Sequence, residues 1–120
     1  MSYFLPEGKI LIARQPVSGR FGVPRLMANL SANAAKYDWN GVDPINVITF
    51  NKFRDRCKII SYDRYGVTLT VRVLHSGRFK VMLDEGLIPS TINKSELEEL
   101  MRTGTLSTEK NKALKTFQKP

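Results

Sequence analysis

The stretch "CKIISYDRYGVTLTVRV", residues 57–73, decides how the rest of the chain is read. From Gly66 onward, Val67, Leu69, Val71 and Val73 alternate with Thr68, Thr70 and Arg72. A period of two marks a strand with one buried face. Upstream, Ile59 and Ile60 are adjacent, so that half is either buried on both sides or bent. Tyr62-Asp63-Arg64-Tyr65-Gly66 lies at the join. It fits two readings: a bend between two strands with a polar and aromatic tip, and a binding loop.

Similar segments lie on both sides. "INVITF" (45–50), "RDRCKIISYD" (54–63), "GVTLTVRVL" (66–74) and "GRFKVML" (77–83) are rich in β-branched and aromatic residues, as strands are. The links between them are Asn51-Lys52-Phe53, Arg64-Tyr65 and His75-Ser76-Gly77. Links this short join antiparallel neighbours, so the strands form a meander. "GLIPS" (86–90) offers a brief fifth strand, which Pro89 ends or confines to an edge.

Helices flank the strands. Pro24 suits a first helical turn, and Leu26, Met27, Leu30, Ala34 and Tyr37 recur at three- and four-residue spacing, which predicts a helix over 24–37. Asn40-Gly41 and Asp43-Pro44 then mark a turn. Asn93 with Glu96 three residues on predicts a capping box, with Ile92 and Leu97 placed as a hydrophobic staple. Glu96, Glu98 and Glu99 fall near that helix's positive end, Arg102 near its negative end, and Gly104 stops it. Near the N-terminus, Ile10-Leu11-Ile12-Ala13 fits either a short edge strand or an arm docked on another subunit. The expected organisation is an N-terminal arm (1–23), a helix plus small barrel (24–90), a C-terminal helix (91–104) and a basic tail (105–120).

The 120 residues carry 19 Lys and Arg against 11 Asp and Glu, a net charge of +8. Such an excess favours a polyanionic partner, because cations gain by displacing the counterions condensed on phosphates. Eight of the basic residues lie between Lys52 and Lys80, opposed by Asp55 and Asp63, so the charge falls on the strand region. One cysteine, Cys57, excludes an internal disulfide and a cysteine-rich zinc site, and a lone thiol in a strand reads as a small core residue. No apolar run is long enough to span a membrane. The chain reads as cytoplasmic. One histidine, one cysteine and no cluster with metal-ligand spacing argue against an enzyme, and no cofactor is expected.

A helix followed by a tightly turned five-strand meander is the order of a small, strongly bent antiparallel barrel, a class holding OB, SH3-like and Sm-like folds. The segment "PINVITFNKFRDRCKIISYDRYGVTL" (44–69) resembles the first motif of the Sm-like family, of the type of the bacterial RNA chaperone Hfq. Asn51, Phe53, Arg56, Ser61, Tyr62, Asp63 and Tyr65 occupy the matching places. "FKVMLDEGLIPS" (79–90) resembles the second motif, with Pro89-Ser90 closing the last strand. The departures are Lys52 and Cys57 where the family carries glycine. In addition, Phe79-Lys80-Val81 lacks the family's histidine, the sole histidine being His75 in the preceding turn.

The resemblance implies a ring, with six subunits favoured, that binds single-stranded RNA as a chaperone or post-transcriptional regulator. On the pore side, Tyr65 would stack on a base of U-rich RNA, Arg64 would donate to phosphate or base edge, and Lys80 would add a second positive group. Ile48, Phe53, Arg54 and Arg56, with Lys58 completing a basic row, would meet A-rich RNA on the opposite face. Asn51 and Asp63 would orient the turns, and Tyr62 would be core. Plainer structural readings stand beside these: Tyr65 as a lid on the barrel mouth, Asp63 as a turn-capping carboxylate, the basic row as a solvated face. A different class of function is a small basic barrel that binds single-stranded DNA or an acidic protein partner, for example a regulator encoded by a mobile element.

Overall fold

The computed structural model describes residues 7–13, 15–81 and 90–105. The elements run β1 (Lys9–Ile12), α1 (Val23–Ala32), β2 (Ile45–Phe50), β3 (Arg56–Asp63), β4 (Gly66–Val73), β5 (Ser90–Ile92) and α2 (Lys94–Thr103). They build one sheet in the order β4-β3-β2-β1-β5. The meander β2-β3-β4 is antiparallel, with Ile48 opposite Ile59 and Ile60 opposite Leu69. β1 lies parallel to β2 and antiparallel to β5.

Every residue of β2 is buried. A strand covered on both faces needs a layer on each side, and the two helices supply them. Leu26 and Leu30 of α1 pack with Leu11, Ile45, Val47, Ile60, Tyr37 and Trp39 on one face. Leu97 and Leu100 of α2 pack with Ile12, Ile48, Phe50, Cys57, Ile59, Phe79 and Val81 on the other. The adjacent isoleucines of β3 are explained by this arrangement: Ile59 enters one core and Ile60 the other.

The fold is mainly β, but the sheet is open and mixed, which corrects the expected antiparallel barrel. A small barrel strand shows one face to the interior and one to water, whereas β2 here has a helix-covered core on each side. The edges β4 and β5 are the first and last strands of the sheet order, with three strands between them, and do not pair. β1 is neither an edge strand nor a detached arm, since it sits between β2 and β5. The segment expected as a strand at 77–83 makes only an isolated parallel bridge, Lys80 to Thr105, while Phe79 and Val81 are buried in the α2-side core. Residues 82 and 83 of it lie outside the described residues, as do 86–89 of the expected fifth strand; the observed β5 begins at Ser90.

Both helices are present, with α1 shorter than its periodicity predicts. It stops at Ala32, where Asn33 leaves helical geometry (φ −109°, ψ 19°) and its Nδ2 donates to Asn29 O at 2.8 Å. Tyr37 and Trp39 are buried all the same, through a turn in which Trp39 N donates to Ala34 O. α2 follows its sequence signals. The Asn93 side chain accepts from Glu96 N at 2.8 Å, the Glu96 carboxylate accepts from Asn93 N at 3.0 Å, and Gly104 ends the helix at φ 79°.

Candidate nucleic-acid interface

Strand register divides the charged side chains between two ends of the sheet. At one end Lys9, Ile45, Tyr62 and Val67 lie abreast; at the other, Phe50, Cys57 and Arg72 do. The first end mixes signs: Glu7, Asp38, Asp43 and Asp63 stand with Lys9, Lys36 and Arg64. The second end is cationic. It holds the β2–β3 turn, residues 51–55, with Lys52 and Arg54, then Arg56, Arg72, Arg78 and Lys80, with Asp55 as the carboxylate of the turn. Loop 18–22 brings Arg20 to the same place, since Lys58 Nζ donates to Gly19 O and Phe21 O at 2.7 Å each.

The cationic turn is pinned in shape. Asn51 Nδ2 donates to Asp55 Oδ1 at 2.6 Å, and its Oδ1 accepts from Arg56 N at 3.1 Å. That occupies the one acidic group. Arg54 holds a left-handed backbone (φ 59°), a conformation rare for a residue with a side chain. Two contacts fix it: its Nη1 donates to Val81 O at 3.0 Å, and its carbonyl accepts from Phe79 N at 2.6 Å. Phe53 is thereby held at the tip, 67% exposed, with the Arg78 guanidinium 5.9 Å from its ring centroid. Among the described residues, Arg20, Lys52, Arg56, Arg72 and Arg78 meet no carboxylate. The helix α1 begins beside Arg20 with no acidic residue in its first turn.

The residues singled out by sequence fall in several places. Ile48 is fully buried in the core and touches no ligand surface. Arg54 belongs to the turn, while Arg56 and Lys58 share a face of β3; Arg54 and Lys58 donate to carbonyl groups, and Arg56 alone of the three has an exposed, unbonded side chain. Lys80 is exposed in the cationic end, its N–H donating to Gly104 O at 2.7 Å. Arg64 and Tyr65 form the tip of the opposite turn, with the guanidinium 4.8 Å from the ring centroid and bonded to the phenol oxygen. Asp63 Oδ1 accepts from Tyr65 N and Gly66 N, at 2.8 and 3.0 Å. Tyr62 packs edge-on against Trp39, with ring centroids 5.3 Å apart. Of the other cations at this end, Lys52, Arg72 and Arg78 enter the sequence reading only as members of the basic count over 52–80, and Arg20 does not enter it. Arg20 and Arg78 reach this end through the loop 18–22 contact and the crossing of segment 74–81, neither of which has a local sequence signal, and the register sets Arg56 and Arg72 on opposite faces of it.

Among the described residues, no group of three or more His, Cys, Asp or Glu side chains is placed to hold a metal ion, and no helix is long and apolar enough to cross a membrane. No curated protein and no solved structure matches the chain. The family described as IS66 Orf2 like protein matches residues 8–111. This match overturns the Sm-like, Hfq-type resemblance, whose short aromatic-Asp-x-aromatic string is a turn in which Asp63 accepts from the N–H groups of Tyr65 and Gly66. The RNA-chaperone reading and the six-membered ring rested on that resemblance and fall with it. The chain belongs to the IS66 Orf2 like protein family.

Proposed function

We propose that this protein binds DNA on behalf of a transposition system, inside the cell and without catalysing a reaction itself. The cationic end of the sheet would hold phosphates, and Phe53 would stack on an unpaired base. The family is transposition-associated, and transposition works on DNA. The observation that carries the reading is the set Arg20, Lys52, Arg56, Arg72 and Arg78, gathered at one end and unopposed by carboxylates among the described residues. Cations that are not internally paired release counterions when they meet phosphates, which is the main source of sequence-independent DNA affinity. An exposed ring amid such cations suits unpaired bases, since every base offers a π-face.

The test is a binding titration with fluorescent single-stranded, duplex and bubble DNA over a range of salt. The expected result is a steep fall of affinity with salt and a preference for DNA with unpaired bases. Affinity that ignores salt, or that survives Arg56→Glu with Arg78→Glu, would remove the DNA reading and leave an acidic protein surface as the partner for these charges.

A further inference from the structure

The outer edge of β4 is the second unsatisfied surface, and it does not depend on the DNA reading. β4 is a full eight-residue strand at the margin of the sheet, and no described strand pairs with its outer side. Its apolar face stays open: Val67 is 37% exposed, and Val71 and Val73 are each 48% exposed. Natural edge strands are guarded by proline, bulges, short length or several charges. This one has a single charge, Arg72, on the other face. A long, β-branched, nearly uncharged edge calls for another strand.

We infer that the occupant is β4 of a second copy, paired antiparallel about a two-fold axis at Thr70. Three features of the strand select this arrangement. First, centring on Thr70 sets Val67 against Val73 and Leu69 against Val71, each pair occurring twice, so all four apolar residues find apolar partners on one face. Cross-strand pairs of that kind stabilise a sheet. Second, Arg72 faces Thr68 of the other copy, and the two Arg72 residues are four positions apart along the strands. At about 3.3 Å per residue that is roughly 13 Å, beyond the ~8–10 Å screening length of physiological salt. Third, the charge of the sheet is polar along its strands. Antiparallel pairing lays the cationic end of one copy beside the Asp63 end of the other, whereas parallel pairing would bring the two cationic ends together. The result is a closed, isologous dimer with one continuous sheet.

Three measurements on the full chain decide it. Wild-type protein should have the mass of a dimer by light scattering. Val71→Lys, at a half-exposed site, should give half that mass with an unchanged circular dichroism spectrum. Thr70→Cys should form an intermolecular disulfide on mild oxidation, because a residue on the axis meets its own copy at about 4.5–5.5 Å between Cα atoms, within disulfide reach. Val73→Cys, which faces Val67 instead, should not cross-link to itself. The native Cys57 is buried and stays out of the reaction. A monomeric mass for the wild type at its highest soluble concentration overturns the proposal, as does a dimer in which Thr70→Cys fails to cross-link. If Val71→Lys fails to fold, the two cysteine variants carry the decision alone.

Discussion

The two turns of the β2-β3-β4 meander are built from the same parts and differ in what surrounds them. Each displays one exposed aromatic ring beside an arginine: Phe53 with Arg78, and Tyr65 with Arg64. Each is organised by one short polar side chain, Asn51 or Asp63. Tyr65 is the more exposed ring, at 80% against 67% for Phe53. Exposure alone would therefore choose the turn that the distribution of charge does not favour. Only the β2–β3 turn is anchored to a crossing segment, through Arg54 to Val81 and Phe79, and only its end of the sheet gathers several further cations, Arg56, Arg72 and Arg78. An aromatic tip becomes a credible base-binding surface when its electrostatic setting agrees with it.

The largest effect separates the ends by charge. Replacing Arg56 and Arg78 with glutamate should lower DNA affinity about a hundredfold at low salt. Replacing both with alanine should make the log–log salt dependence shallower by about 2. The matched change at the other end, Lys9 and Arg64 to glutamate, should cost less than about threefold, since those cations sit among carboxylates. Equal losses at the two ends, measured by the same titration, would erase the distinction between them.

The next effect separates the rings. Phe53→Ala should weaken binding of a short single-stranded oligomer by about tenfold, within the ~1–3 kcal/mol that base–aromatic stacking is worth. Phe53→Tyr should keep most of the affinity, because the ring face carries the contact. Tyr65→Ala should change it by less than about twofold. If DNA binding persists and the two alanine variants rank the other way, the phosphate-binding end stands and the stacking assignment moves to Tyr65.

Much of the fold was legible because its signals are local. The bounds of β2 follow from "INVITF", the β3–β4 hairpin from the alternation after Gly66, and α2 from Asn93, Glu96 and Gly104. The openness of the sheet was not legible, because it turns on one non-local event. Four residues, Lys9–Ile12, insert parallel to β2, and nothing in "KILI" states direction or partner. The 77–83 segment alternates like a strand because Phe79 and Val81 do face a core, yet its backbone bonds go to Arg54 and Gly104. Likewise the basic count at 52–80 located the charge in the right region. It could not tell that Arg54 and Lys58 are turned to carbonyl groups while Arg56 and Arg78 are free of carboxylates.

A smaller contrast concerns stability. The amide of Asn51 is half-buried and bonds on both sides, so Asn51→Ala should cost about 1–3 kcal/mol in urea unfolding. Asp63 sits on an exposed hairpin where water replaces its carboxylate, so Asp63→Ala should cost about 0.5–1.5 kcal/mol. A larger loss for Asp63 would mean that the two-residue turn, not the pinned one, organises the meander.

The smallest effect uses Cys57, one residue past Arg56 and opposite Phe50, as a reporter of the pinned turn. Burial pushes its thiol up from 9.0 to about 12. The folded chain therefore keeps the proton in a range where the unfolded chain has lost it. Above pH 9 deprotonation favours the unfolded state, so stability falls as pH rises from about 9 towards 12, with no contribution below about pH 8. Between pH 8 and pH 10 the wild type should lose about 1 kcal/mol more than Cys57→Ala does. Tyr37, also raised by burial, titrates in both proteins and cancels in the difference. The same double comparison in an Asn51→Ala background asks whether the turn is what keeps water from the thiol. If it is, the pH-dependent difference shrinks there and stays whole in an Asp63→Ala background. An undiminished difference in both would mean that Met101, whose sulfur lies 4.0 Å from the thiol, and the α2-side core bury Cys57 without help from the turn.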